Sequence, residues 1–356
     1  MKLHPLVQLL LAPVSLLYGV GVTVHDLLYR TDVLRGSKFN VPTIAVGNLT
    51  MGGSGKTPHV EYIADFLRVY VSTAILSRGY KRKTHGFLRL SENTTVTDGG
   101  DEPMQYVRKF PNVVVAVGEN RTNAIIAMMA QAPHLQCIIL DDAFQHRAVE
   151  PGLSILLTEF SLPFTRDFLL PSGRLREWRA GYKRADMIIV TKCPPHVTSA
   201  EREALLQEIK PYPHQKIFFS TYIYGAPYRF MYPSLTTHLT TGTDVLLICA
   251  IARADYLVSY LKTKVNSIQA IEYSDHHFFE RTDIGSLKRS YNALNARNKI
   301  IITTEKDAIR LEEHWELIRE YDLPIFVLPV KVGFEAADDE EAFQDSIADY
   351  LLGVKK

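Results

Sequence analysis

Cysteine is scarce in this chain of 356 residues. The three cysteines, Cys137, Cys193 and Cys249, lie far apart, are odd in number and form no CxxC pair. This spacing argues against a disulfide framework, and two of the three lie inside apolar runs typical of strands. The pattern therefore predicts buried free thiols in a reducing compartment.

The chain also lacks an excess of charge of either sign. Its 40 basic and 39 acidic residues give a formal net charge of +1, so no overall field favours nucleic acid and we expect no nucleic-acid partner. Attraction to an anionic partner must come from a local patch. Apolar residues make up 46% and charged residues 22%, which is typical of a globular protein, and the length suits two domains.

The N-terminus carries a long apolar run without the features of a signal peptide. Residues 3–24 are almost continuously apolar, but no basic n-region and no A-x-A cleavage site accompany them. Polar and small residues fall on one narrow helical stripe, formed by His4, Gln8, Ser15 and Gly19. This arrangement favours a helix embedded in one membrane leaflet, and a buried core helix and a membrane span remain open.

From residue 41 onward, short apolar runs alternate with amphipathic segments, which predicts a parallel sheet wrapped by helices. The predicted strands are 43–46, 72–76, 113–117, 137–140, 153–157 and 187–191, and the helices between them include 56–70 and 121–130. The fold class is therefore α/β, with a P-loop NTPase-like first domain.

A smaller α/β unit is predicted from about residue 244. Its expected elements are helices 255–262, 283–296 and 306–319 and a strand at 299–304. Two extended stretches, 216–225 and 324–334, flank this unit and are expected to pair as a two-stranded connector, and a final helix is expected at 338–352. The predicted division is 1–30 for the apolar helix, 31–220 for the ATP-binding domain, 221–335 for the smaller domain and 336–356 for the C-terminal helix.

A phosphate-binding loop is indicated where the first strand runs into TMGGSGKTP and then a helix. Glycines let backbone N–H groups surround phosphate oxygens, the lysine binds the β- and γ-phosphates, and the threonine hydroxyl reaches magnesium. The strict pattern has glycine where this chain has Thr50. The predicted ATP-binding residues are Thr50, Met51, Gly52, Gly53, Ser54, Gly55, Lys56 and Thr57.

A magnesium site is predicted where CIILDD (137–142) ends. Asp141 leaves a buried strand beside the P-loop, so it is the expected ligand together with Thr57, and Asp142 adds a second carboxylate. A helix N-cap is the alternative interpretation of this acidic pair. ATP is favoured over GTP because TKCP (191–194) has proline where a guanine-specific motif needs aspartate.

Several short motifs, taken together, resemble the tetraacyldisaccharide 4'-kinase family. They are VGNLTMGGSGKTP (46–58), LSRGYKRK (76–83), GGDEP (99–103), LDDAFQHR (140–147), PSGRLRE (171–177), VTKCP (190–194), SDHHFF (274–279) and TTEKDAIRL (303–311). The resemblance covers nearly the whole chain. It implies transfer of the γ-phosphate of ATP, with Mg²⁺, to the 4'-hydroxyl of the lipid A disaccharide precursor at the cytoplasmic face of the inner membrane, by a peripheral or monotopic enzyme.

The resemblance also implies roles for individual residues. Asp101 is similar to the family's catalytic base and His276 to its paired histidine; a helix N-cap for Asp101, and a metal site or plain loop for Asp275, His276 and His277, are alternatives. Lys56 and Glu177 complete the implied catalytic set. Expected phosphate or substrate contacts are Arg78, Tyr80, Arg121, Gln145 and Arg176; for Arg121, a solvated residue at a helix start is the alternative. The family commonly has proline where this chain has Arg174 and Trp178, which leaves the shape of that loop open.

The basic, aromatic stretch 77–89 is expected to contact the anionic glycolipid or lipid headgroups. Together with the N-terminal helix it would give two membrane signals. A P-loop NTPase switch of the metallochaperone type, without a lipid acceptor, is the alternative function, and a non-catalytic nucleotide-binding scaffold is a third. The sequence does not predict the oligomeric state.

Overall fold

The computed structural model describes residues 4–335 and 337–354. Its helices are α1 (Pro5–Arg30), α2 (Lys56–Leu67), α3 (Val96–Gly99), α4 (Asp101–Lys109), α5 (Arg121–Gln131), α6 (Ser199–Ile209), α7 (Asp255–Lys262), α8 (Arg281–Ala293), α9 (Glu305–Leu311), α10 (Trp315–Glu320) and α11 (Ala337–Val354). Its strands are β1 (Thr43–Asn48), β2 (Thr73–Ser77), β3 (Leu88–Arg89), β4 (Val114–Val117), β5 (Cys137–Asp141), β6 (Leu153–Glu159), β7 (Met187–Thr191), β8 (Lys216–Tyr224), β9 (Tyr228–Arg229), β10 (Tyr232–Thr236), β11 (Asp244–Cys249), β12 (Ser267–Glu272), β13 (Lys299–Thr304), β14 (Ile325–Leu328) and β15 (Val330–Phe334).

The larger sheet has nine strands in the order β15-β8-β7-β6-β1-β5-β2-β4-β3. The strands from β8 to β4 run parallel, and β3 and β15 close the two edges antiparallel. Every residue of β1, β2, β5, β6 and β7 is buried, because helices cover both faces of a parallel sheet. All six strands predicted for this domain are confirmed, within a few residues at their ends.

The smaller sheet has six strands in the order β10-β9-β14-β13-β11-β12. Strands β11 to β14 are parallel, as expected for a second α/β unit. The prediction of a single helix at 306–319 is wrong. Helix α9 ends at Leu311, a 3₁₀ turn follows at Glu312–His314, and α10 begins at Trp315. The His314 side chain bonds to the carbonyl of Phe279 at this turn, a tertiary contact that local periodicity cannot show.

The two sheets are joined by the expected pair of extended segments. Strand β8 pairs antiparallel with β15, from Val330 opposite Tyr224 to Phe334 opposite Ser220. Strand β8 also pairs with β7 and so belongs to the larger sheet. The stretch 324–334 divides at Pro329, with β14 in the smaller sheet and β15 in the larger one. The predicted boundary between residues 220 and 221 falls inside β8.

Helix α1 buries a narrow stripe and exposes its leucines. Ser15 and Gly19 are its buried residues, whereas Leu9, Leu10 and Leu17 are 71%, 78% and 74% exposed. This is the one helix of the described residues that is long and apolar enough to cross a membrane. The three cysteines are buried and free, as the sequence predicts.

Candidate active site

A cleft of about 1130 Å³ lies between the two sheets, and one face of α1 forms part of its wall. It opens at the carboxyl ends of the parallel strands, where α/β sheets hold their ligands. The predicted site residues that line it are Met51, Gly52, Gly53, Ser54, Gly55, Lys56, Thr57, Arg78, Tyr80, Asp141, Asp142, Gln145, Arg176, Glu177 and His276. Thr50, Asp101 and Arg121 are not among the lining residues.

The P-loop connects the buried strand β1 to helix α2. Gly55 is the N-cap of α2 with φ +89°, and Gly52 has φ +103°; both values fall in the region that glycine adopts without a steric cost. The ammonium of Lys56 lies 3.2 Å from Asn48 Oδ1 and 3.6 Å from Asp142 Oδ1. The loop thus presents backbone N–H groups, a helix N-terminus and a cation to the cleft, which is the combination an anionic phosphate chain requires.

Tertiary contacts hold this loop in place. The Met51 amide donates to the carbonyl of Arg174 (2.7 Å), and the Thr191 hydroxyl donates to the carbonyl of Ser54 (2.8 Å). Thr50, which stands where the strict motif has glycine, forms an antiparallel bridge with Leu175. Its hydroxyl accepts a hydrogen bond from Asn48 Nδ2 (3.3 Å), and Thr50 does not line the cleft.

Asp141 ends strand β5 inside this cleft. Its Oδ2 accepts a hydrogen bond from Ser77 Oγ (3.0 Å), whereas Oδ1 is buried without a hydrogen-bond partner. Burial, with the nearby charges of Glu102 and Asp142, raises the pKa of Asp141 to about 7. A buried carboxylate oxygen without a donor is costly unless a cation or donor compensates it, and it suits a hard divalent ion.

Asp142 is held by two cations. Arg176 Nη1 lies 3.0 Å from both carboxylate oxygens, and Lys56 completes the group. Burial alone would raise the pKa of Asp142, but the charges of Lys56 and Arg176 hold it below its ordinary value. Asp142 therefore fixes the two cations at the cleft.

The side chains of Gln145 and Glu177 extend this network. Gln145 Nε2 donates to the Asn48 carbonyl (2.7 Å) and to Glu177 Oε1 (3.0 Å). Glu177 Oε2 in turn pairs with Arg184 at 2.8 Å. From the family resemblance we expect Gln145, Arg176 and Glu177 to lie around one cleft, and these contacts bring the three side chains together there.

Arg121 takes a different position from the one expected. It is 2% exposed, and its guanidinium donates to the backbone carbonyls of Gly118 and Asp141. Burial lowers the pKa of Arg121 to about 10. A direct phosphate contact is therefore not supported; the side chain instead braces the ends of β4 and β5, behind Asp141.

Asp101 and His276 meet across the two units. His276 Nδ1 lies 3.0 Å from Asp101 Oδ2, and Arg310 Nε lies 2.9 Å from the same oxygen. Burial alone would raise the pKa of Asp101, but the Lys306 charge, the His276 hydrogen bond and the Arg310 charge hold it well below its usual range. Asp101 Oδ1 accepts from the Glu102 amide (2.9 Å), but the N-cap of α4 is Gly100 and no side chain caps this helix, so the N-cap alternative for Asp101 is not supported.

His276 is the member of this pair that reaches the cleft. Its Nε2 lies 3.3 Å from Lys306 Nζ, and its ring packs edge-on against Tyr80 at 5.1 Å. The neighbouring His277 forms a separate pair with Asp283 at 2.8 Å. No group of three His, Cys, Asp or Glu side chains suited to a metal occurs within 4–335 and 337–354, so the metal-site alternative for Asp275, His276 and His277 lacks support.

Helix α4, which begins at Asp101, is bound to α9 of the smaller unit by charges. Lys306 pairs with Glu102 at 3.0 Å, and Lys109 pairs with Glu305 at 2.7 Å. These contacts flank the bond between Arg310 and Asp101. The smaller unit therefore fixes the position of the Asp101–His276 pair.

Sequence reasoning missed several charged residues of the cleft. Lys192 lies 8% exposed beside the P-loop, about 3.9 Å from where a Cβ on Gly53 would stand. Lys306 and Arg310 were visible only as parts of the motif TTEKDAIRL, and Lys192 only as part of VTKCP. The spacing of Lys192, Lys306 and Arg310 in the sequence does not predict that they lie at the cleft, because their contacts join strands and helices that are distant in the chain.

Comparisons with known proteins agree on one family. The family profile described as LpxK, tetraacyldisaccharide-1-P 4'-kinase, matches residues 7–351. A tetraacyldisaccharide 4'-kinase of Bacteroides thetaiotaomicron is 39% identical over 353 residues, covering 96% of this chain and 92% of the relative. One of Porphyromonas gingivalis is 39% identical over 355 residues, covering 98% of each. The crystal structure of LpxK from Aquifex aeolicus in complex with ATP is 28% identical, with a TM-score of 0.74, covering 97% of this chain and 99% of that one.

Proposed function

The chain belongs to the LpxK family of tetraacyldisaccharide-1-P 4'-kinases, and on this premise we propose that the cleft between its two sheets is the active site. The enzyme transfers the γ-phosphate of ATP to the 4'-hydroxyl of a tetraacyldisaccharide 1-phosphate in lipid A biosynthesis. The observation that carries the assignment of the site is that the P-loop of the larger unit and His276 of the smaller unit line one cavity, with Asp101 bonded to His276 behind its wall.

ATP binds with its phosphates on the P-loop. The backbone N–H groups of residues 52–57 and the Lys56 ammonium surround the β- and γ-phosphates, and the α2 N-terminus adds its partial positive charge. Thr57 and Asp141 are the residues that would hold Mg²⁺, because Asp141 presents a buried oxygen without a partner. Bound there, Mg²⁺ would neutralise charge on the transferring phosphate. Asp142 keeps Lys56 and Arg176 directed toward that charge.

The Asp101–His276 pair receives the proton of the acceptor hydroxyl. Asp101 holds the Nδ1–H of His276, which leaves the Nε2 lone pair toward the cleft. The 4'-oxygen forms a bond to the γ-phosphorus as the bond between this phosphorus and the β–γ bridging oxygen breaks, ADP leaves, and the proton passes to Nε2. Lys306 Nζ lies 3.3 Å from Nε2, so this one contact opens when the acceptor hydroxyl binds to Nε2, and the pairing of Lys306 with Glu102 is kept.

Helix α1 attaches the enzyme to the cytoplasmic face of the membrane without crossing it. Its polar stripe bonds to the larger unit along most of its length: Ser15 Oγ to Ser172 Oγ (2.8 Å), and Tyr18 OH to the Arg176 carbonyl (2.7 Å). A span would carry these bonded loops into the hydrocarbon core, where polar groups are costly. Embedding the leucine face in one leaflet keeps every one of these bonds.

Transfer of labelled γ-phosphate from ATP to tetraacyldisaccharide 1-phosphate, in mixed micelles with Mg²⁺, tests this assignment. We expect Asp101→Asn and His276→Ala each to lower kcat by about 10²–10⁴-fold, the range of general acid–base catalysis, with ATP affinity little changed. Because the two residues act as one unit, the double variant should lose little more than either single variant.

The neighbouring His277 provides a matched control. It also bonds to a carboxylate, Asp283, but does not line the cleft. His277→Ala should therefore leave kcat within a few-fold of the unsubstituted enzyme. Independent, additive losses for Asp101 and His276, or an equal loss in His277→Ala, would show that the pair is not the proton acceptor.

A further inference from the structure

Most hydrogen bonds between helix α1 and the larger unit are made by one loop, residues 167–179, called here the docking loop. Ser172 Oγ donates to the carbonyl of Gln8 (3.0 Å), and Ser15 Oγ donates to the carbonyl of Leu169 (3.1 Å). One helical turn further, the Trp178 indole N–H donates to Thr23 Oγ1 (2.9 Å) and lies 3.2 Å from the Gly19 carbonyl. The loop thus follows the helix from its first turns to beyond its midpoint.

Two large aromatic side chains of the docking loop remain exposed. Phe168 is 53% exposed and Trp178 is 42% exposed, although both flank residues that pack against α1. The loop itself is fixed, because the buried Asp167 bonds to the Arg174 backbone N–H (3.1 Å) and guanidinium (2.9 Å). The rigid loop thus leaves a large apolar area of two aromatic side chains in contact with water beside α1.

Two cations follow Trp178 in the chain, Arg179 and Lys183. The Arg179 guanidinium lies over the Phe168 ring at 5.6 Å, and Lys183 follows it in the 3₁₀ turn Arg179–Arg184. Across the described residues, neither Arg179 nor Lys183 pairs with a carboxylate, whereas Asp167 and Glu177 are each paired with an arginine. Aromatic rings beside unpaired cations complement the interface of an anionic bilayer.

We propose that the docking loop is a second membrane-binding element, which inserts Phe168 and Trp178 into the headgroup region of an anionic phospholipid bilayer beside α1. This inference rests on the proposed attachment of α1 to the membrane and adds a contact that the apolar helix alone does not supply. Trp178 contacts α1 through Gly19 and Thr23, and the Arg179 guanidinium lies over the Phe168 ring, where it can bind a lipid phosphate.

Tryptophan fluorescence tests the insertion directly, since the chain has two tryptophans, Trp178 and Trp315. In the full-length Trp315→Phe variant, Trp178 is the sole fluorophore. We expect its emission to shift to shorter wavelength on addition of vesicles of phosphatidylglycerol and phosphatidylcholine, and to be quenched when the acyl chains carry bromine near the headgroup. An emission that vesicles leave unchanged would overturn the proposal.

A second probe separates this proposal from the attachment of α1. Leu10→Trp, in a chain with both native tryptophans replaced by phenylalanine, reports on the helix alone. Quenching of this probe without quenching of Trp178 refutes the docking loop and leaves the helix anchored; quenching of neither refutes both. A shift of Trp178 that depends on protein concentration and not on vesicles would identify a second copy of the chain as the occupant and would also overturn the proposal.

Affinity measurements supply the energetic test. Phe168→Ser should weaken vesicle binding by roughly tenfold, the loss expected when about half of a phenylalanine surface no longer leaves water. Leu235→Ser is the matched control, because Leu235 is 59% exposed on β10 of the smaller sheet. Lys183→Gln should weaken binding to anionic vesicles and not to neutral ones. Equal affinities for Phe168→Ser and Leu235→Ser would contradict the proposal.

Discussion

Lys192 offers the most direct test of how this cleft binds its nucleotide. Its ammonium lies beside Gly53 of the P-loop and 3.8 Å from Glu159, with the Tyr256 ring 4.6 Å away. Within the described part of the chain, it donates no hydrogen bond. A cation next to the phosphate cradle that donates no hydrogen bond is placed to bind the phosphates of ATP, in addition to Lys56.

The structure also sets the pH range in which this contact operates. Burial lowers the pKa of Lys192 to about 8, with Glu159 opposing this effect and Arg253 adding to it. Only the protonated lysine binds phosphate, so the dissociation constant for ATP should rise about tenfold for each pH unit above about 8. The rise ends when the whole contact is lost. A hydrogen bond to a charged group contributes about 1.5–3 kcal/mol, which corresponds to a ceiling of roughly 10- to 150-fold.

Two substitutions of Lys192 distinguish the effect of its positive charge on ATP binding from the effect of its loss of a proton. Lys192→Arg keeps a cation that does not titrate in this range, so its ATP affinity should not change between about pH 7.5 and pH 10. Lys192→Met should bind weakly at every pH and show no slope. Calorimetric titration of ATP into each variant measures these constants, and in the unsubstituted enzyme near pH 8.5 it should also detect proton uptake on binding. Equal affinities for Lys192→Met and the unsubstituted enzyme near pH 7.5 would refute the contact.

Three further substitutions test the cradle, the cation site and the support of the P-loop. Gly55→Ala should abolish ATP binding in a folded protein, because φ is +89° and the new Cβ would stand 2.7 Å from the Tyr222 hydroxyl; Tyr222→Phe should restore part of the affinity, as equilibrium binding would show. Asp141→Asn should raise the Mg²⁺ concentration for half-maximal transfer at least tenfold, and an unchanged Mg²⁺ titration would exclude Asp141 as a ligand. His59→Ala removes the bonds to the Gly55 carbonyl (2.7 Å) and Ser220 Oγ (2.9 Å), which should lower stability by about 1–3 kcal/mol, measured by the midpoint of thermal unfolding.

Much of the larger domain could be predicted because its strands and its P-loop each follow from a short, contiguous sequence pattern. Parallel strands such as β1 and β7 are buried on both faces, so each reads as an uninterrupted apolar run between turn residues. The P-loop likewise depends on a contiguous segment, in which Gly52 and Gly55 adopt positive φ. The strand-end carboxylate Asp141 followed from the same rule, since carboxyl ends of parallel strands share one edge of the sheet.

The remainder of the site depends on contacts between distant segments. The pairing of Asp101 with His276 came from family resemblance, because nothing in the residues between them indicates that they meet. The buried position of Arg121 was missed for the same reason: a basic residue at a helix start suggests an exposed phosphate contact, whereas the fold places it behind β5. The break between α9 and α10 depends on His314 reaching Phe279, which helical periodicity does not record.

The docking loop relates membrane attachment to catalysis through neighbouring residues. Trp178 contacts α1, while Arg176, two positions earlier, reaches Asp142 in the cleft, and the Arg176 carbonyl accepts from Tyr18 of the helix. A displacement of α1 relative to the sheet would therefore move Arg176 and the Asp142 carboxylate that it holds. Since the acceptor is itself anchored in the bilayer by its acyl chains, its 4'-hydroxyl stands at a fixed height above the lipid surface. On the proposed attachment, α1 and the docking loop would fix the height of the cleft above the same surface and so reduce the orientational freedom lost on reaching the transition state.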